Sequence, residues 1–111
     1  MTHDEANAIL KRRVERTIGV LASKNAEYST KHDKLHNFKV AAELSDCRPD
    51  QALWGMLAKH IASIVDLVYR DVETTPVPSQ AVIDEKLGDA INYLILLEMV
   101  WMEDQNPQPK V

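Results

Sequence analysis

The chain has 111 residues, of which 45% are hydrophobic and 27% charged, as is typical of one soluble globular domain rather than a disordered chain. Three glycines and six aromatic residues argue against a β-sandwich or barrel with many tight turns. With one cysteine, no apolar leader pattern and no run of about 18 apolar residues, we expect a cytoplasmic protein that does not enter a membrane.

Charge is distributed unevenly along the chain, although the net charge is only −4. Residues 1–39 carry eight basic and five acidic side chains, whereas residues 71–104 carry one basic and eight acidic side chains. This pattern gives no continuous basic face, so we do not expect binding to duplex nucleic acid. Basic and acidic segments brought together in an oligomer can instead line a site for a small phosphate ligand, with or without a metal ion.

The first helix is predicted from Asp4 to Lys24, because Thr2 and Glu5 have the capping-box spacing in front of a periodic apolar pattern. Its apolar face consists of Leu10, Val14, Thr17, Ile18 and Leu21. Its basic residues Lys11, Arg12, Arg13 and Arg16 are expected to point elsewhere. A polar connection over residues 25–32 precedes a short second helix from Asp33 to Leu44, with Leu35, Phe38, Ala41, Ala42 and Leu44 as its buried side.

The third helix is predicted from Pro49 to Val72, since proline is favoured at the first helical position. Its apolar positions are Leu53, Met56, Leu57, Ile61, Ile64, Val65 and Val68. Two prolines exclude helix between residues 74 and 78, and Ser79 then caps a last helix that extends to Asp104. Apolar residues cover more than one face of this helix from Ile91 to Met102, which places this half in the centre of a bundle or in a subunit interface.

Four helices joined by short links predict an all-α protein with a four-helix bundle-like, oligomeric architecture. Residues 1–105 are expected to form a single domain, and residues 106–111 a flexible tail. All three glycines, Gly19, Gly55 and Gly88, fall inside predicted helices, where each costs about 1 kcal/mol relative to alanine. We therefore expect close approach of another helix at Gly19 and Gly55, and of a helix or a ligand at Gly88.

Three polar side chains in the last helix, Glu85, Asp89 and Asn92, are spaced i, i+4, i+7 and form one column. This column runs into the most apolar stretch of the chain, where a buried carboxylate or amide needs a partner. Three oxygen-bearing groups in line can hold a divalent cation or the hydroxyls of a ribose. The alternative is a solvated strip along an amphipathic helix.

Two further groups of polar residues are candidates for the same site. Lys59 and His60 lie in the middle of the third helix and could neutralise a carboxylate or a phosphate across the bundle. The other group combines cations, amides and an aromatic ring, as needed to stack on a base and hold phosphates: Lys24, Asn25, Tyr28, Asp33, His36 and Asn37. The alternatives are a water-facing helix side for the first group and an ordinary solvated loop for the second.

These groups carry a family resemblance. The order Lys24-Asn25-x-Glu27-Tyr28, Asp33, Asn37-Phe38, Lys59-His60-x-x-Ser63-Ile64 and Glu85-Lys86-Leu87-x-Asp89-x-x-Asn92-Tyr93-Leu94 resembles a small phage and bacterial family associated with nucleotide modification. The resemblance covers about residues 20–98. More remotely, residues 85–89 resemble the second metal-binding helix of MazG-like all-α nucleotide pyrophosphohydrolases, which hold magnesium with an acidic pair on each of two helices.

The resemblance implies a nucleotide ligand and, on the MazG-like side, Mg²⁺ held by Glu85 and Asp89. Lys86 stands where the MazG-like pattern has its second acid, and no Glu-x-x-Glu occurs in the chain, so the other acidic helix of those enzymes is missing. The nucleotide pocket can survive this loss, but two-metal hydrolysis depends on the missing acids.

We therefore expect a phage-type, homo-oligomeric protein that sequesters or senses a nucleotide, without hydrolysis, in an interhelical or intersubunit pocket. Such a protein could serve in the evasion of nucleotide signals of host defence. One alternative is a Mg²⁺-dependent nucleoside triphosphate pyrophosphohydrolase. Another is a structural helical interaction module in which Asn92 fixes the register of an interface.

Overall fold

The computed structural model describes residues 1–23 and 33–106. This part of the chain contains four helices and no β-strand, so the predicted all-α class is confirmed. The helices are α1 (His3–Ser23), α2 (His36–Leu44), α3 (Pro49–Val68) and α4 (Gln80–Gln105). Among these helices, none is both long and apolar enough to cross a membrane.

The predicted helix starts that depend on local caps are confirmed. The Thr2 backbone amide donates to Glu5 Oε2 and the Glu5 amide donates to Thr2 Oγ1, both at 3.1 Å, which completes the capping box. Pro49 is the first residue of α3, and Ser79 Oγ accepts a hydrogen bond from the Val82 amide at the start of α4. Each cap uses residues within three positions of one another, so the sequence alone specifies it.

Two predicted helix boundaries are wrong. The second helix begins at His36 rather than at Asp33, because Asp33 Oδ1 accepts the Leu35 amide in a turn that precedes the helix. The third helix ends at Val68 rather than at Val72. Beyond it the Asp71 side chain accepts the Glu73 amide, which favours a turn over another helical turn.

Helix α4 is the element on which the others are assembled. It packs antiparallel to α3 along most of its length and also contacts α1, while α2 packs on α3. The core lies where these helices meet, and it consists of Leu21, Leu35, Phe38, Leu53, Leu96, Leu97 and Val100. One side of the apolar second half of α4 is buried in this core, through Leu96, Leu97 and Val100, whereas Leu94 and Trp101 on its other side are about half-exposed.

The predicted apolar face of α1 is only partly covered. Thr17 and Leu21 are buried, but Leu10, Val14 and Ile18 are 62%, 47% and 63% exposed. Leu44, expected on the buried side of α2, is 84% exposed as well. The reason is that α1 packs against α4 and no other described helix, and one neighbour covers only a narrow stripe of a helix.

The glycines divide into two kinds. A Cβ atom added at Gly88 would lie 3.1 Å from Arg13 Nη1, so the predicted close approach at this residue is confirmed, with α1 as the neighbour. Around Gly19 and Gly55 no atom lies within 4 Å of such a Cβ among the residues described, so the expected tight crossings there are wrong.

Replacing Gly19 with alanine should therefore raise the free energy of unfolding by about 0.5–1 kcal/mol, because helix propensity improves with no steric cost. Gly55→Ala is the matched variant and should gain a similar amount. Gly88→Ala should gain clearly less, because the Arg13 guanidinium has to move. Urea unfolding measures all three, and an equal gain at Gly88 would show that the close approach imposes no constraint.

Candidate functional site

The polar column of α4 passes from solvent into the protein. The Glu85 side chain is 64% exposed and the Asp89 side chain 38% exposed, whereas Asn92 is 7% exposed. The expected entry into the buried region is thus confirmed for Asn92, while Glu85 belongs to the solvated surface. Asn92 lies on the side of α4 that faces α1 of the same chain, where it lines a cavity together with residues of that helix.

Asp84, one residue before this column, is held by three arginines of α1. Arg12 makes a bidentate salt bridge to both carboxylate oxygens of Asp84, at 2.9 and 2.8 Å. Arg13 donates a further hydrogen bond to Asp84 Oδ1 at 2.8 Å. Arg16 lies 3.6 Å away, beyond hydrogen-bond distance. The hydrogen bond from Arg12, together with bonds from Gln80 and Arg13, holds the pKa of the Asp84 carboxyl far below its ordinary value.

A small polar cavity lies between α1 and α4 beside this cluster. Its volume is about 30 Å³, and its lining includes Arg13, Arg16, Thr17, Asp84, Asp89 and Asn92. Asn92 is one of the residues that line this cavity. Its buried Oδ1 has no hydrogen-bond partner in the described part of the chain. The space fits one water molecule or a single hydroxyl or amino group, but not a base or a sugar ring.

Of the two residues predicted on the third helix, one joins the site. His60 Nδ1 lies 3.8 Å from Asp89 Oδ2, and the His60 ring lies 5.0 Å from the ring of Tyr93. Lys59 is exposed, and its side chain makes no ion pair with any residue described. Asp89 is therefore flanked by the arginines of α1 on one side and by His60 of α3 on the other.

The group that precedes and opens α2 lies elsewhere. Asp33 pairs with Lys39 at 2.8 Å, and Lys39 also pairs with Glu103 at 2.6 Å. Glu103 follows Asp89 by 14 residues, which is about 21 Å along the helix axis. Within one chain, Asp33 is therefore not brought together with the α4 column. Burial opposes the charged form of Asp33, but hydrogen bonds from Lys39 and the Leu35 amide outweigh it and lower its pKa.

The remaining candidates of that group do not extend the site. His36 is half-buried and Asn37 exposed, both at the start of α2 near Asp33. Lys24, Asn25 and Tyr28 lie outside the described residues. The part of the predicted site that the structure brings together is thus Asp89, Asn92 and His60.

The surroundings of Glu85 and Asp89 do not fit a magnesium site. Lys86 Nζ lies 3.6 Å from Glu85 Oε1, and Arg13 and Arg16 line the small cavity that Asp89 also lines. Positive neighbours oppose a divalent cation, which binds where several oxygen ligands converge. Within residues 1–23 and 33–106, no three His, Cys, Asp or Glu side chains come together as metal ligands.

No protein-family model matches this chain, and no curated protein and no solved structure is significantly similar to it. The resemblance to the nucleotide-modification family therefore remains an expectation based on motif order. The case for a function depends on the geometry of the α1–α4 seam, which we define as Arg12, Arg13, Arg16, Thr17, Asp84, Asp89 and Asn92.

Five residues of the seam were not among the predicted site residues: Arg12, Arg13, Arg16, Thr17 and Asp84. Two signals could have identified them. Arg12, Arg13 and Arg16 are spaced i, i+1, i+4, which aligns them along one edge of a helix. The opposite charge of the first and last segments also predicts that α1 and α4 attract each other.

Replacing Asp84 with asparagine should weaken the docking of α1 and lower the free energy of unfolding at neutral pH. Because the folded-state pKa of Asp84 lies below its unfolded value of about 3.9, the stabilisation is complete above that pH and is lost on acidification. Urea unfolding at about pH 6 and about pH 3 tests this, since the stability difference between wild type and variant should be smaller at the acidic pH but not abolished, because the folded-state pKa lies far below its ordinary value. A stability difference that persists unchanged at the acidic pH would contradict it.

Proposed function

We propose that the protein binds a nucleotide across the rim of the α1–α4 seam. The observation that carries the proposal is the excess of guanidinium groups in the seam, three arginines against the two carboxylates of Asp84 and Asp89. Asp84 compensates at most one of the three arginines, and the side chains of Arg12 and Arg16 are 43% and 48% exposed. Arg16 makes no hydrogen bond with any residue described, so its donors are available to a phosphate.

The buried end of the seam supplies a second contact. Asn92 Oδ1 needs a donor, because a buried carbonyl oxygen without one costs about 1–3 kcal/mol. The cavity beside it admits one hydroxyl or amino group. A ligand whose phosphates contact Arg12 and Arg16 can direct such a group inward, while its larger parts lie on the surface near Asp89 and His60.

These contacts match the chemical groups of a nucleotide. The seam offers cations for phosphates and oxygen acceptors for hydroxyl or amino groups, which is the donor and acceptor set that a nucleotide complements. Sequestering or sensing a nucleotide is therefore the role we propose. The motif order that resembles the nucleotide-modification family supports the same class of ligand.

Isothermal titration calorimetry with AMP, ATP, cyclic AMP and a cyclic dinucleotide, each with and without magnesium chloride, tests the proposal. We expect at least one of them to bind, and Arg16→Gln to weaken its affinity about tenfold or more, as for a lost charged hydrogen bond. Arg48→Gln is the matched control, because Arg48 is an exposed arginine paired with Asp50 at the start of α3. Binding of none of the four, or an equal affinity of Arg16→Gln, would overturn it.

Asn92→Leu separates the ligand role from a structural one. If Asn92 contacts a ligand, the variant loses affinity while urea unfolding shows a stability equal to or above that of the wild type. If Asn92 serves only the packing of α1 on α4, affinity stays unchanged. Pyrophosphate release from ATP, measured on the same samples with magnesium, should be absent. Release that Asp89→Ala abolishes would favour the hydrolase instead.

A further inference from the structure

Helices α3 and α4 present one long apolar face to solvent on the side away from α1. On α3 the exposed residues follow one another at intervals of three, four and seven, and on α4 at intervals of seven. They are Trp54, Ile61, Val65 and Val68 on α3, and Leu87, Leu94 and Trp101 on α4, all between 38% and 62% exposed. Spacing of this kind is typical of helices that pack lengthwise against other helices.

The area of this face is large for a chain of this size. The seven side chains expose on the order of 600 Å², which reaches the upper limit of the roughly 300–600 Å² found for the largest patch on a monomer. Each partner in a standard protein–protein interface buries roughly 800 Å². The face is thus close to the area that a stable dimer needs.

The two ends of the face differ in shape and in charge. At one end stand the indole rings of Trp54 and Trp101, with the exposed Glu98 and the Arg48–Asp50 ion pair beside them, and Asp50 also accepts a hydrogen bond from Trp101 Nε1. At the other end lies an apolar cavity of about 230 Å³, with Arg70 and Lys86 among its lining. Its apolar walls include Ile64, Val68, Ile83 and Leu87. One end therefore presents aromatic rings and the carboxylate of Glu98, and the other an apolar cavity with the basic side chains of Arg70 and Lys86.

We infer that this face binds the same face of a second copy of the chain with the ends reversed. Trp101 of one copy then enters the cavity of the other, and Glu98 of each copy meets Lys86 of its partner. Large aromatic side chains seated in apolar pockets are the usual anchors of such interfaces.

The numbering along α4 fits a single two-fold axis. Lys86 and Glu98 lie six residues on either side of position 92, and Ile83 and Trp101 lie nine residues on either side of it. A reversed copy centred at this level therefore places Glu98 against Lys86 and Trp101 against the cavity. The reversed pairing makes the surface complementary to itself, as a two-fold dimer requires.

Charge reversal tests both the partner and its orientation. Sedimentation velocity on the full chain should show a dimer, and Lys86→Glu or Glu98→Lys alone should weaken it about tenfold or more, because each creates two like-charge contacts. The double variant should recover most of the wild-type affinity. Glu43→Lys, an exposed reversal on α2, is the control and should change nothing.

Tryptophan emission gives a second readout, because both tryptophans of the chain lie on this face. The emission should shift to shorter wavelength and resist quenching as the protein concentration rises through the dimerisation range. A wild-type chain that stays monomeric at about 100 µM would overturn the inference. A double variant that dimerises no more tightly than the single variants would also overturn it. Reversing both charges restores opposite charges across the interface only if the two copies lie with their ends reversed.

Discussion

The pairing of Asp84 with the arginines of α1 is the interaction on which the proposed binding site depends. Helix α1 contacts no described helix other than α4, and most of its apolar face is exposed, so hydrophobic burial alone holds it weakly. The two-pronged contact from Arg12 and the bond from Arg13 join the start of α4 to the middle of α1. Without this contact, Asn92 and Thr17 would face water instead of a cavity.

The same contact explains why a site of mixed charge forms in an acidic protein. The basic first segment supplies more cations than Asp84 can compensate, and the seam concentrates them beside the carboxylate of Asp89. Gly88 lets the Arg13 guanidinium approach the helix closely, which brings this charge next to the cavity. The surplus of positive charge is therefore a product of how the two segments meet, and phosphate is the ligand group that it complements.

Features that depend on residues close together in the sequence could be predicted, whereas contacts between distant segments could not. The caps at Thr2 and Ser79 were predictable because each joins residues within three positions. The arginine partners of Asp84 are about 70 residues distant, so no local pattern indicated that they pair with Asp84. Periodicity showed which face of α1 is apolar, but not whether another helix covers Leu10, Val14 and Ile18. The charged residues near Asp33 were grouped with Asp89 by chemical type, whereas the length of α4 separates them.

Amide hydrogen exchange along α1 measures the central contact most directly. In Asp84→Asn, residues 12–20 should exchange much faster than in the wild type, while residues 92–100 in the core keep their protection. Glu85→Gln removes a neighbouring exposed carboxylate and should leave both regions unchanged. If α1 is equally protected in wild type and Asp84→Asn, then the arginine–carboxylate contact does not hold the helix, and the account of the seam is wrong.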